Sequence, residues 1–145
     1  MFCKFWLYQI LSLLIFTSPV IAEVTEIDNE TLKQLLADGV PLVDVRTASE
    51  WKETGIIEGS HLLTFFDESG NYDVNGWLQK LQQIVQPDQP VALICAIGGR
   101  TQAISHFLDA QAGYSKVYNV TTGIKAWIDA GNTTIPSAAQ ANSPK

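Results

Sequence analysis

A chain of 145 residues has room for one α/β domain with a sizeable core and little for a second. Nine basic residues stand against fifteen acidic ones, a net charge of −6 spread along the sequence rather than gathered into a run; this excludes nucleic acid as a partner and means solubility rather than a binding face. Two cysteines, Cys3 and Cys95, and two histidines, His61 and His106, are too few for a structural zinc site, so neither metal nor cofactor is expected.

Lys4 is followed by a predominantly apolar run from Phe5 to Phe16, then Thr17-Ser18-Pro19 and the residues Val20-Ile21-Ala22. This pattern reads as a secretory signal peptide over residues 1–22, cut after Ala22. The alternative is an uncleaved membrane anchor, and membrane contact is expected only in that case. In both, the domain lies outside the cytoplasm, in a periplasm or an equivalent exported space. Loss of Lys4 with the leader leaves eight basic residues and a charge of −7. Cys3 leaves with it, so Cys95 is the sole thiol of the mature chain and no intramolecular disulfide is available to it.

Beyond the leader, Val24 to Ile27 reads as a short edge strand. Asp28-Asn29 caps a helix carrying Leu32, Leu35 and Leu36 on one side, and Gly39 ends it. Pro41 to Val45 is a buried strand, and Thr47-Ala48-Ser49-Glu50 has the capping-box spacing that opens a short helix stopping at Gly55. Ile56-Ile57 is expected to form a third strand and residues 67–75 a loop. Trp77, Leu78, Leu81, Ile84 and Val85 recur at helical spacing. The apolar strand Val91 to Ile94 then leads through Cys95-Ala96-Ile97-Gly98-Gly99-Arg100 into a helix with Ala103, Ile104, Phe107 and Leu108 inward, closed by Gly113. Lys116 to Val120 is a last strand and Gly123 to Ala130 a last helix. Residues 23–133 are therefore the domain and 134–145, rich in Ala, Ser, Asn and Pro, a flexible tail. Strands alternating with helices imply a mostly parallel five-stranded sheet covered by helices on both faces.

In such sheets ligands bind beyond the carboxyl ends of the strands, where the segment from Cys95 to Arg100 falls. A turn from a buried strand into a helix aims several N–H groups at one point and adds the positive end of the helix dipole, a setting that favours a thiolate. Gly98 and Gly99 permit positive φ or close approach there, and Arg100 supplies a charged planar fork for an oxyanion. Taken alone, Cys-x-x-Gly-x-Arg does not separate this reading from a buried, inert cysteine at a strand end.

Four ordered segments resemble the rhodanese family of thiosulfate sulfurtransferases, in its exported single-domain form. They are Leu42-Val43-Asp44-Val45-Arg46 with Glu50-Trp51, Gly55-Ile56-Ile57-Glu58-Gly59-Ser60, Cys95 to Thr101, and Tyr118 to Trp127 with Gly131. The resemblance implies a single rhodanese-like domain. It implies that Cys95 attacks the outer sulfur of a donor such as thiosulfate and then hands the sulfur from a persulfide to cyanide or a thiol. It makes Ala96, Ile97, Gly98, Gly99 and Arg100 the substrate loop and Asp44, Arg46 and Glu50 its support. Asp44 is expected to accept hydrogen bonds from loop amides, and Arg46 to pair with Glu50 or Glu58. Trp51 and Trp127 are expected as core anchors and both histidines as structural or surface residues. Partners are accordingly a small sulfur-containing anion or thiol, or another exported thiol protein. Two departures bear on substrate: Ile56 and Glu58 replace the family's usual His and Pro, and Ala96 and Ile97 stand where many relatives carry basic or polar side chains. The alternatives are a persulfide carrier or protein-interaction module with little thiosulfate turnover, and a phosphatase or arsenate reductase, against which the short Cys-to-Arg loop speaks.

Overall fold

The computed structural model describes residues 23–140, which leaves the expected leader outside the described residues. The strands are β1 (Thr25–Ile27), β2 (Leu42–Asp44), β3 (His61–Leu62), β4 (Val91–Ile94) and β5 (Val117–Val120). They form one sheet in the order β1-β5-β4-β2-β3, with every neighbouring pair parallel. All four residues of β4 are buried, as a central strand covered on both faces requires.

Period-two alternation divides the core. Val43, Val45, Val91, Leu93 and Cys95 face one layer, built by Trp77 and Leu81 of α3 (Val74–Ile84) and Ile104 and Leu108 of α4 (Gly99–Ala112). Leu42, Ala92 and Ile94 face the other, built by Leu32 of α1 (Asn29–Ala37), Ile57, and Ile124 and Trp127 of α5 (Gly123–Asp129). A short helix α2 (Ala48–Thr54) follows β2, and α6 (Ser137–Gln140) ends the described chain.

The expected caps are present: Asp28 accepts from the Thr31 amide at 2.8 Å, Thr47 and Glu50 close a full capping box, and Gly113 ends α4 in left-handed geometry. Several expectations need correction. Ile56 and Ile57 are buried but do not form the third strand, because a turn closed by the Ser60 amide on the Ile57 carbonyl intervenes. The strand comes later, with His61 and Leu62 opposite Val43 and Asp44. Ile56 instead pairs antiparallel with Ile135 through two bonds of 2.9 Å, and the Thr134 hydroxyl donates to the Thr54 carbonyl at 3.1 Å, so the packed chain extends past residue 133. The expected loop ends early: Asp73 accepts from the Gly76 amide at 3.1 Å and starts α3 at Val74. In α4 Ala103 is exposed, and Thr101 and Ser105 are buried beside Ile104 and Leu108. Trp127 is a core residue whose indole donates to the Thr133 carbonyl, whereas Trp51 lies half-buried on a helix with no buried residue. His61 and His106 are exposed.

Candidate active site

Cys95 follows the last residue of the central strand and is 1% exposed. The chain then reverses through Gly98, at φ 89°, and enters α4 at Gly99. A side chain on Gly98 would overlap the Thr121 backbone, and one on Gly123, at φ 63°, would overlap the backbone of Ala96 and Ile97. The loop after β4 and the turn after β5 are thus interlocked at backbone contact, which only glycine permits. Gly99, by contrast, has open space where a Cβ would stand and adopts helical geometry.

This interlock orients the peptide groups. The Ile124 and Lys125 amides donate to the carbonyls of Cys95 and Ala96 at 2.9 and 3.0 Å. With those carbonyls held outward, the loop presents N–H groups to the sulfur: the Gly98 amide donates to Cys95 Sγ at 3.2 Å. Thr101 Oγ1 stands 3.5 Å from the sulfur and also donates to the Gly98 carbonyl at 3.0 Å, so a single hydroxyl proton has two acceptors. Burial pushes the Cys95 thiol up. The Thr101 hydroxyl and the amides of Thr101, Ile97 and Gly98 outweigh it and hold the thiol below its ordinary value.

Arg100 is already engaged. Its Nη1 and Nη2 donate to Glu50 Oε2 and Oε1 at 2.8 and 2.6 Å, a bidentate fork. Glu50 also accepts from the Thr47 amide at 3.0 Å, so one carboxylate closes the capping box of α2 and grips the arginine of the loop. The Arg100 contact, above all, draws the Glu50 carboxyl down to about 2 against partial burial. The same pair raises Arg100, with a further contribution from the charge on Cys95.

The expected supports therefore have different partners. Arg46 binds neither the Glu50 carboxylate nor Glu58. It pairs with Asp44, Nε to Oδ1 at 3.0 Å and Nη2 to Oδ2 at 2.8 Å, with both side chains buried. Alternate residues of a strand share one face, so Asp-x-Arg at the end of β2 brings the two together. Asp44 accepts one amide, that of Arg46 itself, and none from the loop after Cys95 among the bonds found. The remaining guanidinium protons go to Thr54 Oγ1 at 2.7 Å and the Gly55 carbonyl at 2.9 Å, tying the end of α2 to the end of β2. Thr101, Thr47 and Gly123 were not among the expected site residues. Thr47 carried a signal as the opening residue of a capping box and Gly123 as a glycine just past a strand, whereas Thr101 carried none for a contact with the sulfur. Among the described residues no three His, Cys, Asp or Glu side chains group as a metal ion needs. Beside the loop lies a cleft of about 380 Å³ walled by Ala96, Ile97, Ile124 and Ile128.

The central strand of a parallel sheet thus ends at a buried cysteine whose sulfur accepts from the amide of the following turn. Residues 28–130 match the family described as the rhodanese-like domain. The chain belongs to this family. Rhodanese-like relatives include Thiosulfate sulfurtransferase 18 of Arabidopsis thaliana, 29% identical over 119 residues that cover 79% of this chain and 86% of that protein. A sulfurtransferase of Allochromatium vinosum is 34% identical over 112 residues, 72% of this chain and 88% of that one. The rhodanese-like domain of an Anabaena protein superposes with a TM-score of 0.61 at 19% identity, over 85% of this chain and 86% of that one, and shows the shared fold. The protein is therefore a rhodanese-like sulfurtransferase by family.

Proposed function

We propose that Cys95 is the catalytic nucleophile and the carrier of sulfane sulfur. The Cys95 thiolate attacks the outer sulfur of a donor such as thiosulfate, an S–S bond forms to Cys95, and the donor's own S–S bond breaks with its electron pair leaving on sulfite. The terminal persulfide sulfur then lies at the mouth of the loop, where N–H groups stabilise its charge without reorganising. An acceptor, cyanide or a thiolate, takes that sulfur and returns the electron pair to Cys95. The observation that carries this reading is the donor set around a buried sulfur, the Gly98 amide at 3.2 Å and the Thr101 hydroxyl at 3.5 Å. Intact mass spectrometry after thiosulfate treatment tests it: the protein gains one sulfur atom that a reductant removes, and Cys95→Ser gains none. Labelling that persists in the serine variant sinks the reading.

A second reading concerns the donor. Both terminal nitrogens of Arg100 are occupied by Glu50, which favours slow turnover of a dianion such as thiosulfate and a working role as a persulfide carrier. We also propose that the domain acts outside the cytoplasm, on the strength of the apolar run after Lys4. Cell fractionation checks this, with the protein expected outside the cytoplasm and its recovery in the cytoplasmic fraction counting against it; N-terminal sequencing then separates a cut leader, starting at Glu23, from an uncut anchor, starting at Met1.

A further inference from the structure

Three large hydrophobic side chains are markedly exposed among the described residues, Tyr72, Ile97 and Ile128, and two of them wall the cleft beside the Cys95 loop. Ile97 is 68% exposed at its rim, and an extended peptide lying along the cleft would cover both isoleucines. The charges around it are almost all matched: Lys125 pairs with Asp129 at 2.6 Å, Glu50 with Arg100, and Arg46 with Asp44. Glu53 also lines the cleft, is exposed, and makes no ion pair among the described residues. The cleft is therefore apolar along its wall with one uncompensated negative charge, and its wall begins at Ala96 and Ile97, the residues next to Cys95.

We propose that this cleft docks the segment around a partner protein's cysteine, an apolar side chain of the segment lying against Ile97 and Ile128 and a basic one meeting Glu53. The inference rests on Cys95 carrying sulfane sulfur and names the acceptor. The docked thiol loses its proton to solvent and its sulfur attacks the terminal sulfur of the Cys95 persulfide. A new S–S bond forms on the partner, the bond to Cys95 Sγ breaks, and the electron pair returns to Cys95 as thiolate. No external oxidant or reductant is needed.

Two arms test this on the full chain. In the first, acetylated peptides Leu-Arg-Ser-Leu and Leu-Glu-Ser-Leu, which cannot accept sulfur, are titrated while backbone amide NMR signals are followed. The basic peptide is expected to shift the Ile97, Ile124 and Ile128 signals and to bind about three- to fivefold tighter than the acidic one; Glu53→Lys reverses that order and Ile128→Asp weakens both. Equal binding of the two peptides, or shifts centred elsewhere, overturns the docking site. In the second arm the cysteine versions of the peptides compete with cyanide for sulfur from thiosulfate-loaded protein. The ratio of peptide to cyanide transfer is expected to fall in Glu53→Lys for the basic peptide, and a ratio unchanged in both variants, as unaided small-thiol transfer would give, overturns the acceptor assignment. Failure of Cys95 to load at all removes the persulfide reading, and the first arm then decides the docking site by itself.

Discussion

Two arginine–carboxylate pairs stand at the carboxyl ends of the strands, and their surroundings give them opposite roles. In the Asp44–Arg46 pair each side chain is 1% exposed, and every guanidinium nitrogen has a protein acceptor. In the Glu50–Arg100 pair each is 28% exposed and the fork faces the loop that holds Cys95. A buried pair with all its protons committed cannot exchange partners without leaving a charge unsolvated, so it is scaffold. A partly solvated pair exchanges at modest cost, so Glu50 restrains Arg100 without committing it as Asp44 commits Arg46. The same residue types thus make a fixed tie in one place and an exchangeable one in the other, and burial decides which.

The sharpest break in that comparison is Asp44→Ala. It strands the Arg46 charge inside the protein and is expected to cost about 3–5 kcal/mol, read as a drop in the urea midpoint; a loss below about 1 kcal/mol would place Arg46 among the solvated pairs. Glu50→Gln is the matching change at the other pair, and it keeps the capping-box hydrogen bonds because glutamine serves that position as well. Stability is expected to move by less than about 1 kcal/mol. Thiosulfate turnover, as kcat/KM, is expected to rise on the order of tenfold once Arg100 has no carboxylate to satisfy. A fall instead would mean that Glu50 orients Arg100 rather than restraining it.

Thr101→Val acts on the sulfur alone. Removing the hydroxyl takes away the leading stabiliser of the thiolate, so the alkylation rate of Cys95 against pH should shift to higher pH, and an unmoved profile would leave the amides as the whole cause. The smallest effect is on acid stability. The folded Glu50 carboxyl lies at about 2, below its ordinary 4.5, so its contribution is present above about 4.5 and is lost as pH falls toward 2. Glu50→Gln should therefore flatten the acid limb of stability in that window, by an amount reduced through solvent screening, and an identical limb in both proteins would contradict the pair's ionisation.

Much of this arrangement is written locally. The order of elements, the burial of β4, the capping box at Thr47 and Glu50, and the position of Cys95 at a strand end all follow from patterns spanning a few residues. What was hidden lies in partners chosen across long sequence separations. A capping box accounts for the Glu50 carboxylate completely, and nothing near it in sequence announces an arginine 50 residues on. Period-two geometry does place Asp44 beside Arg46, but a charged pair with no solvent is an unusual expectation for a strand end. The third strand lies at His61-Leu62 rather than at Ile56-Ile57 because β3 is a sheet edge whose His61 is exposed, while the more apolar Ile56 is buried by Ile135, in a segment whose small polar composition reads as tail. Thr101 ends the segment that starts at Cys95, and a polar residue in a first helical turn gives no local sign of the burial that the nearby sulfur brings.

The interlock of Gly98 with Thr121 and of Gly123 with Ala96 carries a consequence for biosynthesis. Because the amides of Ile124 and Lys125 hold the Cys95 and Ala96 carbonyls, a nascent chain that has emerged only as far as β5 has the cysteine but not the amides that orient its loop. Pulse alkylation of chains arrested before Gly123 should find an ordinary thiol, with the lowered value appearing only in chains that include α5. Reactivity is then a property of chain completion, and a half-made copy carries only an ordinary thiol.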